Sequence, residues 1–278
     1  MNFVVAYTPR AGGNVVAEFL SHQKNLHCHG NIFPYNGVIS LKDSNTLEDI
    51  EINFDKLMEL QKWPAAVRKM KEAQNLTNLL LKEKNRYENV PSILKILEKT
   101  EKKTKVGFKL SLKDYETLPP NTKAKLFKQL SKENTKLILL DRKNQFEQYV
   151  SMELCERYNR HIRKSVELPK LQKIGIKPAE YLAFKKELKK NKEKFIQDLI
   201  KFGINFKEYF YEELKDETLC EGTYKNILEY LEESPDDYID ASDLIPLKRV
   251  NIYPPNITVS NYSNVIQFLR AKNDPEFI

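Results

Sequence analysis

Cysteine is scarce in this chain: Cys28, Cys155 and Cys220 are the only three among 278 residues. Three is odd and they lie far apart, so neither a disulfide framework nor a CxxC metal site follows. A reducing, intracellular setting is the expectation, with cytoplasmic as the assigned location. Long apolar runs are missing as well. No stretch of the sequence approaches the roughly 18 apolar residues of a membrane helix, so no membrane span is expected. No basic segment followed by an apolar one opens the chain, and the first predicted strand starts at Phe3, so a signal peptide is not expected. Glycine is limited to eight residues, and they build neither GxxxxGK[ST] nor GxGxxG. Internal repeats and low-complexity linkers are absent too.

What is present suits one large domain or two small ones: 41% of residues are hydrophobic, enough for a substantial core. The net charge is +7, from 46 basic and 39 acidic residues. That excess fits an anionic ligand, whereas a nucleic-acid binder would show a denser basic patch. Most lysines, such as Lys185, Lys186, Lys189 and Lys190, fall on polar helix positions and read as a solvated face. Nucleic acid is therefore not an expected partner.

Phe3-Val4-Val5-Ala6-Tyr7 reads as a buried strand. Thr8 to Asn14 is a tight loop, and Val15, Val16, Phe19 and Leu20 at helical spacing start a helix near Gly12 to Asn14. A strand that ends in a glycine loop at a helix N-terminus is an anion cradle, because the first N–H groups lack intrahelical partners and the dipole's positive end faces the loop. Arg10 adds a planar, permanently charged fork. Further strands are predicted at Val106 to Leu110, Lys136 to Leu140 and Asn205 to Tyr211. Helices are predicted over 121–132, Gln145 to Asn159, Pro178 to Phe202, Leu214 to Leu231 with a break near Glu221-Gly222, and Tyr262 to Ala271. Residues 37–46 read as polar and irregular. From about Leu47 to Thr100 the period is helical, an inserted lobe expected to cap the site. Strands alternating with helices predict an α/β fold, a parallel β-sheet flanked by helices. Ligands then bind at the carboxyl ends of strands, where Arg10 to Asn14 and Arg142 to Ser151 form two basic, polar loops.

Taken in order, several short stretches resemble the sulfotransferase family that uses 3′-phosphoadenylyl sulfate (PAPS). Pro9-Arg10-Ala11-Gly12-Gly13-Asn14 resembles its 5′-phosphosulfate loop. Arg142-Lys143-Asn144, with Ser151 eight positions after Lys143, resembles its 3′-phosphate site. Gly107-Phe108-Lys109, Tyr211-Glu212-Glu213-Leu214 and Ser260-Asn261-Tyr262 resemble its Gly-Phe-Lys, Tyr-Glu-Asp-Leu and Ser-Asn-Tyr stretches. Bacterial members resembling trehalose sulfotransferase often show Arg-Arg-Asn at this second site, where Lys143 stands in place of the second arginine. The resemblance implies a P-loop-NTPase-like sulfotransferase fold and a single domain over 1–278.

It also implies transfer of a sulfuryl group from PAPS to an acceptor hydroxyl. The acceptor would be a small molecule or a carbohydrate, adenosine 3′,5′-bisphosphate (PAP) the product, and no metal would be needed. Arg10, Ala11, Gly12, Gly13, Asn14 and Val15 would hold the 5′ end of the donor; Arg142, Lys143 and Ser151 the 3′-phosphate. Two departures stand out. Ala11 and Gly13 replace the loop's hydroxyl residues, and Asn31 stands where relatives carry a glutamate base. An amide has no useful basicity. His29, with His27 behind it, is the substitute base expected from a strand on which 27, 29 and 31 share a face. A degenerate PAP-binding protein and a nucleotide-dependent kinase are the alternatives, although the loop lacks the kinase's lysine and hydroxyl.

Overall fold

The computed structural model describes residues 2–32, 38–42, 49–53, 104–158, 171–215, 220–240 and 253–276. Five strands form one parallel sheet: β1 (Phe3–Tyr7), β2 (Leu26–Asn31), β5 (Lys105–Ser111), β6 (Lys136–Asp141) and β7 (Phe206–Phe210), in the order β2-β5-β1-β6-β7. Helices cover both faces, as the alternating pattern predicted. The central strands are continuous apolar runs because both faces are buried. Phe3 to Ala6 and Leu137 to Leu140 are fully buried.

Side-chain alternation along the strands sorts them into two layers. Phe3, Val5, Ile138 and Leu140 pack with Val16, Phe19 and Leu20 of α1 (Gly13–His22) and with Tyr224, Ile227 and Leu228 of α7 (Cys220–Tyr230). Val4, Ala6, Phe108, Leu137 and Leu139 pack on the other side. Their partners there are Leu126, Phe127 and Leu130 of α3 (Pro120–Lys132) and Phe195 and Leu199 of α5 (Pro178–Lys201). A third cluster joins Phe146, Tyr149 and Val150 of α4 (Gln145–Tyr158) to Val265 and Leu269 of α9 (Tyr262–Ala271).

Four details differ from the sequence reading. Val38–Lys42 is strand β3, paired antiparallel with β4 (Asp49–Asn53) in a separate two-stranded sheet, where irregular chain and the start of the helical lobe were expected. The rest of the expected lobe lies outside the described residues. A short helix, α2 (Leu112–Thr117), follows β5, capped by Ser111 Oγ accepting from the Lys113 N–H. The segment after β7 divides into α6 (Tyr211–Lys215) and α7, and Gly222 lies inside α7 rather than at a break. The short α8 (Pro255–Thr258) precedes α9.

The connections define where a ligand would sit. From β1 the chain crosses to β2 at one edge, returns to β5, then passes over β1 to β6 and on to β7. Loops from β1 and β6 therefore leave in opposite directions, the point at which open α/β sheets place their ligands.

Candidate functional site

Beyond β1 the chain makes a β-turn over residues 8–11, closed by the Ala11 N–H donating to the Thr8 carbonyl at 3.1 Å. Pro9 occupies the first central position and Arg10 the second, with φ of 63°. Left-handed backbone is costly for a side chain with a Cβ, on the order of 1–2 kcal/mol. The other described non-glycine residues with positive φ are Asn134, Glu232 and Asn273, each just past a helix C-terminus, where that conformation is routine. At Arg10 the turn itself calls for a positive φ, a place usually filled by Gly or Asn, and strain of this kind gathers at functional sites.

The turn is held from below by a buried polar network. Thr8 Oγ1 donates to Asp141 Oδ1 at 2.9 Å, and Gln148 Nε2 donates to Thr8 Oγ1 at 3.0 Å. Lys192 completes it from α5 by donating to Asp141 and Glu208. Burial disfavours the Lys192 ammonium, but the hydrogen bonds and charges of these two carboxylates outweigh it and leave its pKa raised. Asp141 is thus committed to anchoring the loop.

Gly12 follows with φ of 86° and serves as the N-cap of α1, with no side-chain cap and no acidic residue in the first turn. The positive end of the helix dipole therefore faces the loop uncompensated by an acidic side chain of that turn. Gly13 lets the helix approach β1: a Cβ there would lie 2.6 Å from the Tyr7 ring. Asn14 accepts a hydrogen bond from Lys109 Nζ, which brings a second cation from β5 to the first turn of α1. Lys109 had only marked a motif in the sequence; its side-chain reach across to α1 depends on β5 and β1 being neighbours.

Arg10 Nε donates to Ser151 Oγ at 3.2 Å, joining residues 141 apart in sequence. The fold thus brings together one residue from each of the two expected anion loops. Arg142 and Lys143 are differently placed. The Arg142 side chain is 7% exposed, and its Nη2 pairs with Glu147 Oε2 at 2.6 Å. Its guanidinium lies 4.7 Å from the Tyr211 ring centroid. Lys143 Nζ pairs with Glu213 Oε1 at 2.7 Å. The N–H groups of Lys143 and Asn144 both donate to the Glu212 carboxylate, at 3.0 and 3.1 Å. Sequence reasoning missed these three carboxylates as partners. Tyr211-Glu212-Glu213 stood in the sequence only as a motif, and nothing local pairs it with Arg142.

The expectation that His29 shares a face with Asn31 is corrected by the register. His29 pairs with Phe108, but Asn31 pairs with Lys109, because a bulge at Gly30 inserts one residue. A one-residue shift turns the following side chain to the opposite face. Asn31 Oδ1 instead accepts from the Tyr7 hydroxyl at 3.0 Å. Burial, then the charge of Asp114, pushes the Tyr7 phenol well above its ordinary pKa, so it stays a donor. His29 is 2% exposed, with its Nδ1 3.3 Å from His27 Nε2. A packing role for this pair predicts that His29→Ala lowers the melting temperature by several degrees while leaving ligand affinities unchanged. Unchanged melting with lost activity would instead make His29 a chemical group.

Among the described residues no group of three or more His, Cys, Asp or Glu is arranged to hold a metal ion. None of their helices is long and apolar enough to cross a membrane. No protein-family model matches this chain, and no curated protein matches it in sequence.

Proposed function

We propose that this protein is a sulfotransferase that binds PAPS and moves its sulfuryl group to an acceptor hydroxyl, with a carbohydrate or small molecule as acceptor. One observation carries the reading: Arg10 Nε on Ser151 Oγ, 3.2 Å apart, joins the two loops that would grip opposite ends of one nucleotide. The strained Arg10 turn, the α1 N-terminus and Lys109 would stabilise charge as it moves onto the leaving 5′-phosphate. Ser151, with Arg142 and Lys143, would hold the 3′-phosphate. In the transfer the bond from sulfur to the 5′-phosphate oxygen breaks, a bond to the acceptor oxygen forms, and the acceptor proton leaves to a base. The P-loop-NTPase-like sulfotransferase fold belongs to this same proposal.

The Tyr7–Asn31 pair favours a second reading. With an amide held where a carboxylate base would be needed, the chain would bind PAP or PAPS without turnover. A thermal shift with PAP, beside AMP and NAD, tests what both readings share. Ligand at about a hundred times its dissociation constant adds roughly 2.7 kcal/mol, a rise of several degrees for a chain of this size. We expect that rise with PAP and a smaller one with AMP. Equal shifts with PAP and AMP, or none, would overturn the assignment. A sulfate-transfer assay then separates enzyme from binder.

A further inference from the structure

The turn between β6 and α4 is built as an anion nest and is already filled from within. Two successive N–H groups, of Lys143 and Asn144, converge ahead of the 14-residue helix α4. Their common acceptor is the Glu212 carboxylate, which uses Oε2 for one and Oε1 for the other. Arg142 approaches the same spot. Its Nε lies 3.7 Å from Glu212 Oε1, beyond hydrogen-bond range, and this buried donor has no hydrogen-bond partner among the described residues. The cause is position: turned to both amides, the flat Glu212 carboxylate leaves its nearer oxygen 3.7 Å from Arg142 Nε. A phosphate monoester has three terminal oxygens in a tetrahedral array, so it can serve both amides and turn a third oxygen toward Arg142 Nε.

We propose that Glu212 is the specificity-determining residue of this second anion site. Its carboxylate holds the nest when no ligand is present and yields to a phosphate, which satisfies the guanidinium that the carboxylate leaves short. The proposal rests on the donor reading above for the identity of the nucleotide, but not for the chemistry of the nest. Glu212 borders solvent, its side chain 23% exposed at the start of the short helix α6, so a displaced carboxylate would have water to enter. Displacing an anionic occupant sets a threshold that favours doubly charged phosphate over singly charged carboxylates.

The test is calorimetric titration of the full chain and its Glu212→Gln variant with PAP, AMP and inorganic phosphate. Removing the competing charge is expected to tighten PAP about tenfold, the scale of one charge-assisted hydrogen bond, and to leave AMP unchanged. Glu193→Gln removes the same charge from an exposed site on α5 and is expected to change nothing. Glu212→Asp keeps the charge but withdraws it by one methylene. It is expected to shift PAP affinity in the same direction and decides the matter if the glutamine variant does not fold. Unchanged or weaker PAP binding in these variants, with the wild type still preferring PAP over AMP, would make Glu212 a fixed structural cap and end the proposal. If the wild type shows no preference for PAP, the donor reading fails alone. Tighter inorganic phosphate in Glu212→Gln would then uphold the nest, and no change would overturn it.

Discussion

Replacing Gly107 with alanine is expected to destabilise the protein by about 2–3 kcal/mol and to lower its melting temperature by roughly 4–12 °C. Gly107 lies on β5 directly opposite Phe3 of β1. A Cβ built there would fall 2.2, 2.3 and 2.6 Å from three atoms of the Phe3 ring. The ring has nowhere to go, because Phe3 is fully buried against the α1 and α7 layer. Two smaller terms act the other way: alanine restricts the unfolded chain by about 0.4–1 kcal/mol, and glycine weakens a strand. Overlap with a fixed aromatic ring exceeds both, which decides the sign. Phe3→Leu in the same chain removes the clash, so the double variant should recover part of the loss. Melting of the two single variants and the double variant checks this. A Gly107→Ala protein as stable as the parent would mean that the two central strands sit farther apart than described.

Arg10→Ala is expected to weaken PAP binding by about a hundredfold. The guanidinium can make two charge-assisted hydrogen bonds to a phosphate or sulfate, each worth about 1.5–3 kcal/mol, so about 3 kcal/mol is a conservative loss. That corresponds to two decades of affinity. Stability of Arg10→Ala should move little, since its Cβ keeps the left-handed strain. At φ of 63°, Arg10→Gly removes the left-handed strain while also losing the Ser151 hydrogen bond. A stable variant that no longer binds is the signature of strain kept for a ligand. Arg10→Lys should fall between the two, with charge retained and the fork lost. Titration calorimetry alongside melting separates these effects. An Arg10→Ala affinity within threefold of the parent would remove Arg10 from the site.

Much of the framework was legible because burial leaves a local trace. Phe3–Tyr7 and Lys136–Asp141 are apolar runs bounded by polar turns, which a parallel strand covered on both faces requires. The last helix runs from Tyr262 to Ala271, the limits its spacing predicted. Strands β3 and β4 were passed over for an identifiable reason. Ile39 and Leu41 alternate with Ser40, and Ile50 and Ile52 with Glu51, but the first run lies in polar chain and the second opens a stretch of helical period. Short alternation of this kind is easily absorbed into neighbouring irregular or helical patterns. Pairing sets Ile39 opposite Ile52 and Leu41 opposite Ile50, which neither run displays alone.

By itself the sequence determined the alternation of strand and helix, the two apolar faces of the sheet, and a glycine loop with Arg10 at the end of its first strand. These depend on neighbours a few residues away, and composition and period record such neighbours. Only the tertiary structure decided which strands lie side by side, and with that which side chains meet beyond β1 and β6. It carried Ser151 to Arg10, Lys109 to Asn14, and Glu212 into the nest at Lys143 and Asn144. It also turned Asn31 away from His29 through one extra residue at Gly30. Strand order and register join positions far apart in the chain, and a charged side chain is compatible with any of several partners until the fold supplies one.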